Sequence, residues 1–308
     1  VTRITLLDGG MGQELVRRAG DRPTPLWSTQ VMIDHPGLVQ KVHADYFAAG
    51  ATIATTNTYA IHRDRLVRAG IADRFEALHA AALAEAAAAR AAHGSGKIAG
   101  SIGPLAASYR PDIHPPHAEA MPLYAEVARL LAPGTDLLIC ETVASLAHAR
   151  AALDGVLTAG LPVWLALTLD DEDGTKLRSG ESVADALPIA RDGAAALLAN
   201  CSAPEAMPAA LDIFATGGLP YGAYANGFTR ITKEFLADSP TVDALSARRD
   251  MGPDIYAGHV MDWVARGATI VGGCCETGPA HIAEIARRLR ETGHEITADL
   301  GAPRQEPA

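Results

Sequence analysis

Hydrophobic positions along this chain fall into short apolar runs separated by longer amphipathic stretches. Apolar runs cover 4–7, 52–56, 97–102, 136–140, 163–167, 195–199, 221–225 and 268–271. Each is bounded by Gly, Pro or polar residues, the pattern of strands buried on both faces of a parallel sheet. Helical periodicity is predicted over 37–49, 74–92, 119–131, 145–159, 204–215, 253–266 and 279–292. Several of these begin with Pro or Ser, and Gly160, Gly267 and Gly293 stand just past three of their ends, as helix stops do.

Strand and helix in alternation, eight strands deep, predict an α/β fold of the (β/α)8 TIM-barrel type in a single domain over 1–300, with a frayed tail over 301–308. An open doubly wound sheet is the alternative, but no Gly-x-Gly-x-x-Gly follows the first strand. Two connections are long, 108–116 and 227–252. Long loops in compact domains commonly shape sites, and the second is expected to form one wall of the barrel mouth.

Composition changes this picture little. Of 308 residues, 48% are hydrophobic, 20% charged and only 5% aromatic, so the core must be built from aliphatic side chains. The net charge of −10 and the lack of a basic run argue against nucleic-acid binding. No apolar run is long enough to span a bilayer, and the opening residues do not read as a secretory signal, so a cytoplasmic location is expected. The sequence does not set the oligomeric state.

In a TIM barrel the residues after each strand ring the active face. Here they are Asp8, Asn57, Ser101, Glu141, Thr168, Cys201, Asn226 and the pair Cys274-Cys275. Three of the chain's four cysteines therefore converge on one mouth. Three thiolates suit zinc, and a catalytic zinc site has three protein ligands and one open position able to take a substrate thiol. On spacing alone the alternative stays open that these are cysteines buried as small apolar side chains. Cys140, inside the fourth strand, is expected to face away from Glu141. Glu141 and Asp8 are candidates for holding an amino group, with an ion pair and a turn as the plainer readings, and Gly9-Gly10 would let a ligand approach the backbone. The histidines, among them His43, His62, His114, His117 and His259, show no metal-ligand spacing, and most are expected at the surface or on helices.

These landmarks resemble the homocysteine S-methyltransferase family over nearly the whole chain. They run from LLDGGMGQEL through ATIATTNTYA, GSIGPLA, DLLICET, LRSGES, LANCSAP and YANG to GGCCETGPAHI. The resemblance implies a (β/α)8 barrel, with Zn2+ held by Cys201, Cys274 and Cys275, which act in catalysis through the metal. It also implies an amino acid site at Asp8, Gly9 and Glu141, and Asn226 near the metal. The implied partners are homocysteine and a small methyl donor, giving methionine. Length favours S-methylmethionine as donor. Betaine, or a partner-borne methyl as in a split methionine synthase, are the alternatives, and other thiol or selenol acceptors stay open. Trp27, Tyr59, Tyr224 and Phe228 are candidate aromatic faces for a cationic donor. Glu276 departs from the Gly or Arg that family members often carry after the cysteine pair. Readings from other classes are a non-catalytic barrel with structural zinc, and a redox switch through Cys274-Cys275, which strain in a disulfide between neighbours disfavours.

Overall fold

A computed structural model describes residues 2–20, 26–228 and 248–300. Its strands are β1 (Arg3–Leu6), β2 (Ile53–Thr55), β3 (Lys97–Ile102), β4 (Leu137–Val143), β5 (Val163–Leu167), β6 (Ala196–Asn200), β7 (Tyr221–Ala225), β8 (Ile270–Gly273) and β9 (Glu295–Thr297). The first eight pair in sequence order, all parallel, and β8 returns to β1. A bridge from Leu7 to Ile53 joins β1 to β2 and closes the (β/α)8 barrel.

Alternation along each strand builds two cores. Even-odd neighbours split between an inner cluster, with Leu7, Ile53, Ile139, Trp164, Ala166 and Leu198, and an outer cluster against the helices, with Ile4, Leu138, Leu165, Leu197 and Val271. Cys140 lies in the outer cluster, two strand faces apart from its neighbour Glu141, which turns inward.

One strand goes beyond the predicted eight. β9 pairs with β1 in parallel, Arg3 opposite Glu295. It wedges into the seam between β1 and β2, where Thr52 Oγ1 donates to Thr297 O at 2.6 Å. Trp164 fills the inner core and its indole N–H donates to Leu300 O at 2.9 Å. The segment after the last helix thus plugs the end of the barrel opposite the site. Its sequence, HEITADL, is too short and polar to stand out as a strand.

Helices occupy the predicted stretches, and four short ones are added at Met11–Ala19, Ser28–Asp34, Arg63–Arg68 and Ala186–Arg191. They escape the periodicity because each buries few apolar side chains; Arg63–Arg68 buries only Leu66. Most of the histidines lie on helices, as expected, though not all of them are at the surface. His43 and His148 sit on helices but are fully enclosed, and His62, in a turn, is buried with Nε2 against Gly103 O at 2.9 Å. A neutral imidazole is apolar enough to pack, and burial lowers His43 to about 4. Among the described residues no helix is long and apolar enough to cross a membrane. The 301–308 tail and most of the 227–252 connection lie outside the described residues.

Candidate metal centre and amino acid site

The C-terminal ends of the strands surround an open cavity of about 850 Å³, counted out to solvent. Its lining includes Asp8, Gly9, Glu141, Cys201, Cys274 and Cys275, so six of the seven residues that the family resemblance assigns to the metal and amino acid site meet there. Asn226 is not part of the lining. It is buried at the end of β7, and its Oδ1 has no hydrogen-bond partner among the described residues.

Cys201 follows β6, and Cys274 and Cys275 follow β8. Their three sulfurs lie within 4.8 Å of one another. Zn–S bonds of ~2.3 Å in a tetrahedron place sulfurs ~3.8 Å apart, so a small contraction seats a metal. The donor set fits: three soft ligands on the wall of an open cavity, with no fourth His, Cys, Asp or Glu joining them among the described residues. The backbone that presents Cys201 is strained at φ 50° and is held by Thr168, whose hydroxyl donates to Cys201 O at 3.2 Å.

Strain of this kind is gathered here. The non-glycine residues with positive φ among the described residues are Trp27, Ala106, Tyr109, Thr142, Cys201 and Glu276. Trp27, Tyr109 and Cys201 line the cavity, and Thr142 and Glu276 adjoin lining residues. Each costs on the order of 1–3 kcal/mol, which a site tolerates where the surrounding structure fixes it.

Two carboxylates face the same cavity. Asp8 accepts from Thr55 N–H and from Thr55 Oγ1, both at 2.7 Å. Glu141 accepts from Tyr224 OH at 2.8 Å and from the Ser101 hydroxyl through its other oxygen. Burial pushes both up to about 7, against the pull of these hydrogen bonds. Among the described residues, no Lys, Arg or His lines the cavity. Two buried carboxylates without a counter-cation make a site for a cation, which would return both to the ionised state.

The glycines after β1 serve the chain rather than a ligand's approach. A Cβ on Gly9 would meet Thr277 O at 2.3 Å, and one on Gly10 would meet Cys274 O at 2.6 Å. Their smallness lets the turn carrying the cysteine pair lie against the β1 end, while Gly9 still borders the cavity. The remaining wall is largely aromatic: Trp27, Tyr59, Tyr109, Tyr224 and Phe228. Tyr109 and Thr55 were not singled out by sequence reasoning. Tyr109 lies in the long 108–116 connection, and that length was the one signal pointing to it; Thr55 gave none, being one threonine in a run of them.

Comparison with known proteins follows the same lines. A family profile described as homocysteine S-methyltransferase matches residues 5–289. The chain is 32% identical to the homocysteine S-methyltransferase of Escherichia coli K12, over 92% of this chain and 95% of that one. It is 25% identical to a selenocysteine Se-methyltransferase of Brassica oleracea var. italica, over 92% and 88%. The crystal structure of the E. coli homocysteine methyltransferase MmuM in a metallated form superimposes with a TM-score of 0.78 at 30% identity, covering 92% of this chain and 96% of that one.

Proposed function

The chain belongs to the homocysteine S-methyltransferase family and is an enzyme of methyl transfer to homocysteine, and we propose that it uses a zinc ion held by Cys201, Cys274 and Cys275 and takes the methyl group from S-methylmethionine. One observation carries the reading: three convergent sulfurs share one cavity with two buried carboxylates that face no cationic side chain among the described residues. An amino acid thiol offers a cation at one end and a sulfur at the other, and matches both.

Zinc in that set would supply a lowered pKa for the substrate thiol, leaving it a thiolate at neutral pH. The chain's own residues do the rest. Glu141 and Asp8 receive the substrate ammonium. Ser101 and Tyr224 keep the Glu141 carboxylate aimed, and Thr55 does the same for Asp8. These contacts convert an encounter of two solutes into a positioned displacement. The substrate sulfur's electron pair forms the new S–CH3 bond. The donor's S–CH3 bond breaks with its pair passing to the departing sulfur, so the sulfonium leaves as a neutral thioether.

Charge disappears in this step, since an anionic sulfur and a cationic donor give two neutral thioethers. A wall of Trp27, Tyr59, Tyr109 and Phe228 favours that change, being poor at solvating the separated charges while its ring faces attract a sulfonium. Gly9 borders the same cavity. A purely structural zinc would call for four protein ligands and a closed site.

The test is methionine formation by reduced, zinc-loaded protein from homocysteine, offered S-methylmethionine, betaine or methylcobalamin separately. Turnover with S-methylmethionine alone supports the proposal in full. Product only with another donor replaces the donor and keeps the site. No product with any donor, at one zinc per chain, overturns it.

A further inference from the structure

The pairing of β4 with β5 is irregular where the site is built. Cys140 stands opposite Leu165, but Val143 stands opposite Leu167, so β4 spends one residue more than its partner. The bulge falls on Glu141 and Thr142. Bulges re-aim side chains at the cost of a ladder bond. Here the Thr142 N–H leaves the ladder and donates to Asn200 Oδ1 at 3.0 Å, while Asn200 Nδ2 donates to Thr142 Oγ1 at 3.3 Å. Both residues are completely buried. Asn200 is the last residue of β6, so its amide reaches across the end of β5 to do this.

Thr142 needs the support. It is β-branched and holds φ 57°, a conformation such residues rarely adopt. The clamp therefore joins two short backbone pieces. One carries Glu141 immediately before Thr142; the other carries Cys201 immediately after Asn200.

We propose that Asn200 is a positioning residue that fixes the separation between the Glu141 carboxylate and the Cys201 sulfur, and so sets the length of amino acid thiol the site accepts, selecting homocysteine over the one-methylene-shorter cysteine. The proposal rests on homocysteine spanning from the Glu141 carboxylate to the cysteine cluster. With the clamp in place, a shorter thiol cannot satisfy both ends. Without it, Thr142 relaxes to negative φ, Glu141 swings, and the spacing is no longer single-valued. One methylene of discrimination is worth ~10–200-fold in a well-formed pocket.

The experiment compares dissociation constants of homocysteine and cysteine, by calorimetry on metal-loaded protein, together with methylation rates and metal content. Asn200→Ala is expected to lower the ratio of cysteine to homocysteine dissociation constants at least tenfold, at unchanged metal content. Adding Thr142→Gly, which accepts positive φ unaided, is expected to restore much of the ratio; a side chain needed only for stability would show no such rescue. Should Asn200→Ala not fold, the isosteric Asn200→Asp, which keeps the acceptor and loses the donor, carries the same comparison with a smaller fall of about threefold or more. A ratio equal to that of the unaltered protein, or equal weakening of both thiols without rescue by glycine, overturns the proposal. If the unaltered protein binds neither thiol, it is the homocysteine reading itself that fails.

Discussion

The Tyr224 hydroxyl donates to Glu141 Oε1 at 2.8 Å across the barrel interior, from β7 to β4. The ring belongs to the inner core and the hydroxyl to the site, so one side chain serves both.

Tyr224→Phe separates the two functions. Phenylalanine keeps the ring packed, so folding should survive. Glu141 keeps only Ser101, losing a hydrogen bond to a charged group worth ~1.5–3 kcal/mol. Steady-state kinetics should show KM for homocysteine rising about 10–100-fold with kcat changed far less. A selective fall in kcat would contradict a ground-state role in holding the amino group.

Asp8 predicts a pH dependence of definite sign. Burial raises it from an ordinary 3.8 to about 7 in the ligand-free protein. The folded state thus binds a proton that the unfolded state releases, and this contribution to stability is full below pH ~4 and lost as pH rises to ~7. Asp8→Asn should remove that slope and stabilise the protein at pH 8, by up to ~4 kcal/mol on the pKa difference. It should weaken homocysteine binding at least a hundredfold at the same pH. Homocysteine affinity of the unaltered protein should fall as pH drops below 7, when the carboxylate protonates. Denaturant melts at several pH values would check the first part and calorimetry the second.

Metal removal should cost function without unfolding. The barrel's two apolar cores do not include the metal, so chelation should leave the far-ultraviolet spectrum intact and abolish thiol binding. Peroxide should release metal and activity together, and reductant plus zinc should restore both. Activity that outlives complete metal loss would rule out the three-cysteine centre as the thiol-activating group. Cys201→Ser should cut metal affinity, whereas Cys140→Ser, in the outer core, should leave it unchanged.

Gly9→Ala and Gly12→Ala form a contrasting pair. A Cβ at Gly9 lands 2.3 Å from Thr277 O and must displace the turn holding Cys274 and Cys275, whereas at Gly12 the nearest atoms are 4.0 Å away. Gly9→Ala is expected to lower metal content and reduce turnover by a hundredfold or more. Gly12→Ala, within a helix, should stabilise by ~0.5–1 kcal/mol and bind metal normally. Equal metal content in the two variants would show that the turn can move freely.

The eight barrel strands, their ends and the three cysteines could be read from the sequence because short apolar runs and chain order alone carry them. In a barrel the strand ends open onto the mouth whatever their long-range neighbours are, so Asp8, Glu141 and Cys201 needed no contact information, although Asn226 after β7 stays outside the lining. Thr55, Tyr109 and Asn200 were not legible for the opposite reason. Their roles exist only through partners on other strands: Asp8 for Thr55, the thiol cluster for Tyr109, and a bulge in β4 for Asn200. A bulge leaves no mark in hydrophobic periodicity when both of its residues are polar. β9 was missed because its stabilisation comes from the seam it fills rather than from its own side chains, of which none is fully buried.

That seam bears on the order in which the protein matures during synthesis. The Thr5 hydroxyl donates to Asp299 O across 294 positions of chain, and β9 completes the join between β1 and β2. A nascent chain still lacking its last strand has Trp164 and Thr52 without their final acceptors, and β8 with its cysteine pair emerges only shortly before. Cys201, synthesised earlier, must wait for them. The full three-sulfur set therefore exists only once Cys275 has been made, and a metal-responsive probe would report when β6 and β8 have come together.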